Sequence, residues 1–129
     1  MPHMAIGHCI SEDRAQTKGI AKTICDVCPE NRNVYHVPIG SVSVTKVDTY
    51  IVYNLVTKER YFQKPTYENL EMCLKNLRAK LIEDKVTKLA IPELGCGLDQ
   101  LQWSRVLPLI KKVLQGVELD IYVYKLSDH

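Results

Sequence analysis

Apolar residues recur along this chain with two different periods, and the switches between them lay out an alternation of strands and helices. Residues 5–10 form a short apolar strand. From Lys18 to Cys28 the period is helical: Ile20, Ile24 and Val27 share one face, and Pro29 stops the run. Ser41 to Lys46 sets Val42 and Val44 against polar neighbours, and Asp48-Thr49 offers a turn into Tyr50 to Val56. Those two segments are predicted to pair antiparallel. After Pro65, Thr66 is a ready N-cap, and Leu70, Leu74, Leu77 and Leu81 make a stripe at helical spacing. Lys88 to Leu94 reads as a buried strand. Val106, Leu109, Ile110, Val113 and Leu114 mark another helix, predicted to begin around Ser104 because Pro108 is tolerated best near a first turn. Val117 to Tyr124 alternates and closes the chain as a last strand. The sum is an α/β layered fold with a mixed central sheet flanked by helices.

At 129 residues, with neither internal repeat nor linker, the chain is expected to be a single domain spanning residues 1–129. Met1-Pro2-His3-Met4 resembles a cloning remnant ahead of a natural Met4. A formal charge of +2, from 17 basic and 15 acidic residues, gives no long-range pull toward nucleic acid or an anionic membrane. Any anion recognition must therefore be local. No apolar run approaches a membrane span, and no charged-then-apolar leader opens the chain, so no membrane partner is expected. Five cysteines without regular spacing fit a reducing compartment, cytoplasm or nucleus, better than a disulfide framework.

The segment Gly95-Cys96-Gly97-Leu98-Asp99, between a predicted strand and a predicted helix, is the first candidate for chemistry. Two glycines let backbone approach a ligand closely, and N–H groups entering a helix N-terminus form an anion seat. In an α/β sheet such a loop lies beyond a strand's carboxyl end, where ligands bind. Cys96 does not read as a phosphatase nucleophile, because Gln102 stands where an arginine would clasp the phosphoryl group; it is expected to be there for its small size. Cys25 and Cys28 have zinc-knuckle spacing but lack a second pair, so no metal is expected. His8 and His36 have no partners at ligand spacing and read as packing or surface residues, and Trp103 is expected to pack the loop onto the helix after it.

Several runs stand together in one family's order: His8-Cys9-Ile10-Ser11-Glu12-Asp13, Gly19-Ile20-Ala21, Thr57-Lys58, Lys64-Pro65-Thr66-Tyr67-Glu68-Asn69-Leu70, the glycine loop, and Leu101-Gln102-Trp103. From Ala5 to Leu126 the chain resembles a macrodomain of the terminal ADP-ribose protein glycohydrolase type, also called the O-acetyl-ADP-ribose deacetylase type. The resemblance implies a three-layer fold that holds ADP-ribose. It also implies an enzyme, without cofactor or metal, that cleaves ester-linked mono-ADP-ribose from Glu or Asp side chains or from acetate. Lys58 corresponds to the family's lysine nucleophile and Asp99 to the aspartate that assists proton transfer. Ser11 and Gly19, Ile20 and Ala21 correspond to ligand contacts near the first strand. Leu94, Gly95, Cys96, Gly97 and Leu98 correspond to the loop around the diphosphate and distal ribose, and Leu126 to a residue near the adenosine.

The resemblance also implies a strand before Ala5 and an adenine-reading aspartate after it, for which this sequence has no counterpart, so one sheet edge is expected to be bare or filled by something else. On residue type alone each site has a plain alternative. Lys58 can be a solvated strand end, Asp99 a helix cap and Ser11 a strand terminator. The leading expectation is a monomeric hydrolase acting on ADP-ribosylated protein or free ADP-ribose esters, with nucleic acid a partner only as an ADP-ribosylated substrate. The alternative is a reader that binds ADP-ribose without cleaving it. A domain retained only for protein contacts stands third.

Overall fold

The computed structural model describes residues 4–13, 24–26, 28–33, 37–47, 50–60, 63–96 and 101–125. Five strands form one sheet in the order β2-β3-β1-β4-β5: β1 Met4–Ser11, β2 Val42–Lys46, β3 Ile51–Lys58, β4 Lys88–Ile91 and β5 Asp120–Val123. β2 and β3 pair antiparallel, as their alternation and turn predict, and β1 pairs parallel with both β3 and β4. β5 joins parallel to β4 at the sheet's edge. The sheet is therefore mixed, and β3, near its middle, is buried from Ile51 through Thr57.

Two helices cover one face. Helix α1, Tyr67–Glu83, begins where the sequence predicts: Thr66 is extended (φ −109°, ψ 157°), and its hydroxyl accepts the Asn69 N–H at 3.0 Å. Its stripe Leu70, Leu74, Leu77 and Leu81 is buried against Ala5, Ile51, Tyr53, Leu55 and Leu89, together with Val106 and Ile110 of helix α2, Trp103–Val113. On the opposite face, helical residues 24–26 and the 3-10 turn Pro29–Asn33 close the third layer, with Ile24 and Cys28 packed on Val52. The residues predicted as helix at 18–23 lie outside the described residues.

Several boundaries differ from expectation, among them β3, which runs past Val56 to Lys58. β4 stops at Ile91 because Pro92 offers no N–H to continue a ladder. β5 is four residues long rather than eight, its edge position leaving residues 117–119 without a strand to pair with. Helix α2 starts at Trp103, one residue from the predicted Ser104, but Pro108 stands at its sixth position rather than near the first turn. Both Pro108 and Ser104, whose carbonyl loses its helical partner there, face solvent, which can replace the missing donor.

Candidate active site

β1 occupies the middle of the sheet, and the chain leaves it toward β2 and β3 but leaves β4 toward β5. The carboxyl ends of β1 and β4 thus flank a topological switch point, where an open α/β sheet leaves a crevice for a ligand. Between Ile10 and Ser11 the register with β3 shifts by one residue, so Ile10 faces Val56 whereas Ser11 faces Lys58. Thr57 is the extra residue of this bulge. Without the shift Ser11 would face Thr57. With it, Ser11 and Lys58 stand level at the crevice.

The two chains stay joined beyond the strands. The Glu12 N–H donates to the Lys58 carbonyl at 2.7 Å, and the Asp13 N–H donates to the Glu59 carbonyl at 3.0 Å. Ser11 is buried and its hydroxyl donates to the Asp13 carboxylate. The Glu12 carboxylate accepts the Ile39 N–H at 3.2 Å, tying the approach to β2 against the same end of β1. Lys58 is half-buried, while Glu59 and Arg60 are exposed. Behind Lys58, the Asn69 amide in the first turn of α1 donates to the Thr57 carbonyl at 3.4 Å.

On the other side of β1, Pro92 and Leu94 are buried and lead into the glycine loop. Gly95 has φ +71°, a conformation that favours glycine, and a Cβ there would stand 2.7 Å from Leu101 Cδ1 and force that side chain to shift. The Leu101 N–H closes the loop onto the Gly95 carbonyl at 2.7 Å. The Gln102 N–H donates to the Tyr67 hydroxyl at 3.0 Å, and the Arg105 guanidinium lies 4.1 Å over the Tyr67 ring. The first turns of both helices thereby brace the loop's far end. The Cys96 thiol donates to the Leu94 carbonyl at 3.3 Å, and burial, reinforced by the Glu93 carboxylate, pushes it up to about 11. It is therefore a protonated space-filler, in accord with its predicted role and against a nucleophile.

The structure thus brings Ser11, Lys58, Leu94, Gly95 and Cys96 to one end of the sheet. Gly19, Ile20, Ala21, Gly97, Leu98, Asp99 and Leu126 lie outside the described residues, as does His36. Trp103 packs partly buried against the main core. His8 is buried on the opposite face from the helices rather than in the crevice, and Cys25 and Cys28 are buried thiols. Among the described residues, no three His, Cys, Asp or Glu side chains converge as metal ligands. Asp13, Tyr67 and Asn69 enter the site's framework without having been singled out by residue type, although all three belong to the runs that carry the resemblance. A separate cleft of about 300 Å³ between α1 and α2 is lined by Glu71, Lys75, Arg78, Lys112 and Val113. There Glu71 bridges Lys75 at 3.4 Å and Lys112 at 3.6 Å, an exposed ion-pair network rather than an apolar ligand pocket.

A three-layer α/β domain with a strand-end lysine on one side of the central strand and a glycine turn on the other defines a class of small-ligand-binding domains. The macro domain family profile matches residues 8–110, and this chain belongs to that family. It is 39% identical over 125 residues to the human protein named ADP-ribose glycohydrolase OARD1, covering 95% of this chain and 82% of that one. It is 27% identical over 120 residues to a Thermus aquaticus protein named DNA ADP-ribosyl glycohydrolase, covering 84% of this chain and 33% of that one. Its fold superposes on the macrodomain of Thermus aquaticus DarG with a TM-score of 0.86 at 25% identity, over 95% of this chain and 89% of the other.

Proposed function

We propose that this chain binds ADP-ribose in the crevice at the ends of β1, β3 and β4 and hydrolyses it from ester-linked carriers. The observation that carries the reading is the register shift that sets Lys58 beside Ser11, across β1 from the glycine loop. The similarity to a relative named as an ADP-ribose glycohydrolase supports the same reading.

In the proposed reaction the Lys58 amine lone pair forms a bond to the anomeric carbon of the distal ribose. The bond from that carbon to the ester oxygen breaks, and its electron pair leaves with the carboxylate. Asp99 takes the amine proton. Asp99 returns that proton to the lysine nitrogen as the carbon–nitrogen bond breaks, and water bonds to the anomeric carbon while losing a proton to the freed Asp99 carboxylate. Backbone N–H groups of the glycine loop would receive the diphosphate. The carriers are Glu and Asp side chains and acetate, since a carboxylate is a competent leaving group in each. Five free cysteines suit work in the cytoplasm or nucleus.

Release of ADP-ribose from a glutamate-linked protein substrate, followed beside calorimetric titration of free ADP-ribose, tests the reading. Lys58→Ala is expected to lose about 10²-fold or more of turnover while keeping ADP-ribose affinity within a few-fold. Full turnover in that variant would end the lysine mechanism. Heat of binding without release by the parent chain would mark it as a reader.

A further inference from the structure

We infer that Asp13 is a positioning residue that turns Ser11 into a pure hydrogen-bond acceptor, and that this acceptor selects the distal ribose through one of its hydroxyls. The inference rests on the function proposed above. A serine hydroxyl has one proton and two lone pairs. Here the proton is committed: Ser11 donates it to the Asp13 carboxylate. What Ser11 can offer a ligand is therefore lone pairs alone, which suit an O–H donor and repel a phosphate oxygen.

The pair is held in place by more than its own bond. Ser11 ends the central strand with 2% of its surface exposed. Asp13 is pinned through its backbone N–H to the Glu59 carbonyl, and Glu12 between them to the Lys58 carbonyl. The same two backbone bonds that set Ser11 level with Lys58 thus fix the carboxylate that takes its proton.

The sign of the effect separates this role from that of a bystander. Asp13→Asn removes a negative charge, so a bystander predicts tighter binding of both ADP and ADP-ribose. The asparagine offers only a neutral carbonyl, a weaker acceptor than the carboxylate, and adds an N–H that competes for the serine's lone pairs, so Ser11 loses its fixed orientation. If Asp13 positions Ser11, ADP-ribose binds about tenfold more weakly to Asp13→Asn, while ADP, which lacks the distal ribose, is held no less tightly. Ser11→Ala shows the same preference, and Ser11→Ala/Asp13→Asn binds no more weakly than Ser11→Ala alone. Calorimetric titration with both nucleotides, on proteins whose unfolding midpoints match the parent's, reads all of these values. Tighter or unchanged ADP-ribose binding by Asp13→Asn overturns the inference, as do equal losses for ADP and ADP-ribose or multiplicative effects in the double variant. Should Asp13→Asn fail to fold, Ser11→Ala decides: loss confined to ADP-ribose supports the acceptor role, and no loss overturns it. A parent chain that binds no ADP-ribose would instead refute the function itself.

Discussion

The two faces of the sheet are built on different physics. Toward α1 and α2, Ala5, Ile51, Tyr53, Leu55, Leu89 and Ile91 meet a leucine stripe in one continuous apolar cluster. On the other face a polar row crosses three strands, because Ser43 faces Asn54 across β2–β3 and His8 faces Asn54 across β1–β3. Asn31 of the 3-10 turn lies over that row. Its amide donates to Asn54 Oδ1 at 2.8 Å, and its oxygen accepts from Asn54 at 3.0 Å and from Thr45 at 2.7 Å. The Asn54 amide also donates to the Ser43 carbonyl at 3.1 Å, which fixes which end of the side chain is oxygen. His8 Nε2, 2.5 Å from that oxygen, must therefore carry the proton, leaving Nδ1 a bare acceptor. Among the described residues, Nδ1 and the Ser43 hydroxyl have no hydrogen-bond partner. The apolar face is held by area, which tolerates adjustment. The polar face is held by direction, and depends on every member.

The largest test of that difference is on the apolar side. Leu77 is 1% exposed in the middle of the leucine stripe, and Leu77→Ala is expected to cost about 4 kcal/mol, measured by urea unfolding, through lost transfer energy and a residual cavity. A loss below about 1 kcal/mol would mean that α1 is not seated as described.

The polar side is expected to fail with acid instead. Burial holds His8 down to about 4 from 6.5. Below pH 6.5 the unfolded chain takes up a proton that the folded chain refuses, so stability present above that pH falls as pH drops toward 4. Over that window the loss from this one residue is about 3 kcal/mol, although carboxylates contribute their own share. The His8→Gln variant isolates it: the difference in unfolding free energy between parent and variant should shrink between pH 7.5 and pH 4.5. A constant difference would show that His8 protonates as readily folded as unfolded.

Legibility from sequence divides along the same line. The apolar face was readable because a helix writes its buried stripe at fixed spacing, so Leu70 to Leu81 and the Thr66 cap are found where predicted. The polar row was not, since Ser43, Asn54 and His8 lie in three strands and meet only through register. β3, buried on both faces, carries no alternation to reveal it. His8 was expected to be a packing or surface residue; it packs, but within a hydrogen-bonded network. At the crevice, Lys58 and Ser11 were identified by resemblance, whereas their adjacency depends on a one-residue bulge at Thr57 that no local pattern announces. Asp13 escaped notice because a carboxylate two residues past a strand is indistinguishable, by type, from a solvated loop residue.

A pair of smaller substitutions asks whether burial or the mere presence of hydrogen bonds sets the two faces apart. Thr66→Ala removes the exposed cap bond to Asn69 on the apolar side, where water can take the hydroxyl's place, and about 1 kcal/mol is expected. Asn54→Ala, at 0% exposure, strips partners from His8, from Asn31 and from the Ser43 carbonyl together, and water cannot reach them without opening the third layer. The expected cost is about 2 kcal/mol or more, because the groups left behind carry their desolvation penalty unanswered. Combining Asn54→Ala with Asn31→Ala should then cost less than the sum of the two single changes, since each already breaks the other's bonds. Thr66→Ala with Asn31→Ala, on opposite faces and sharing no partner, should add. Additivity in both pairs would mean that the polar row is a set of independent contacts, and the contrast between the faces would reduce to residue type.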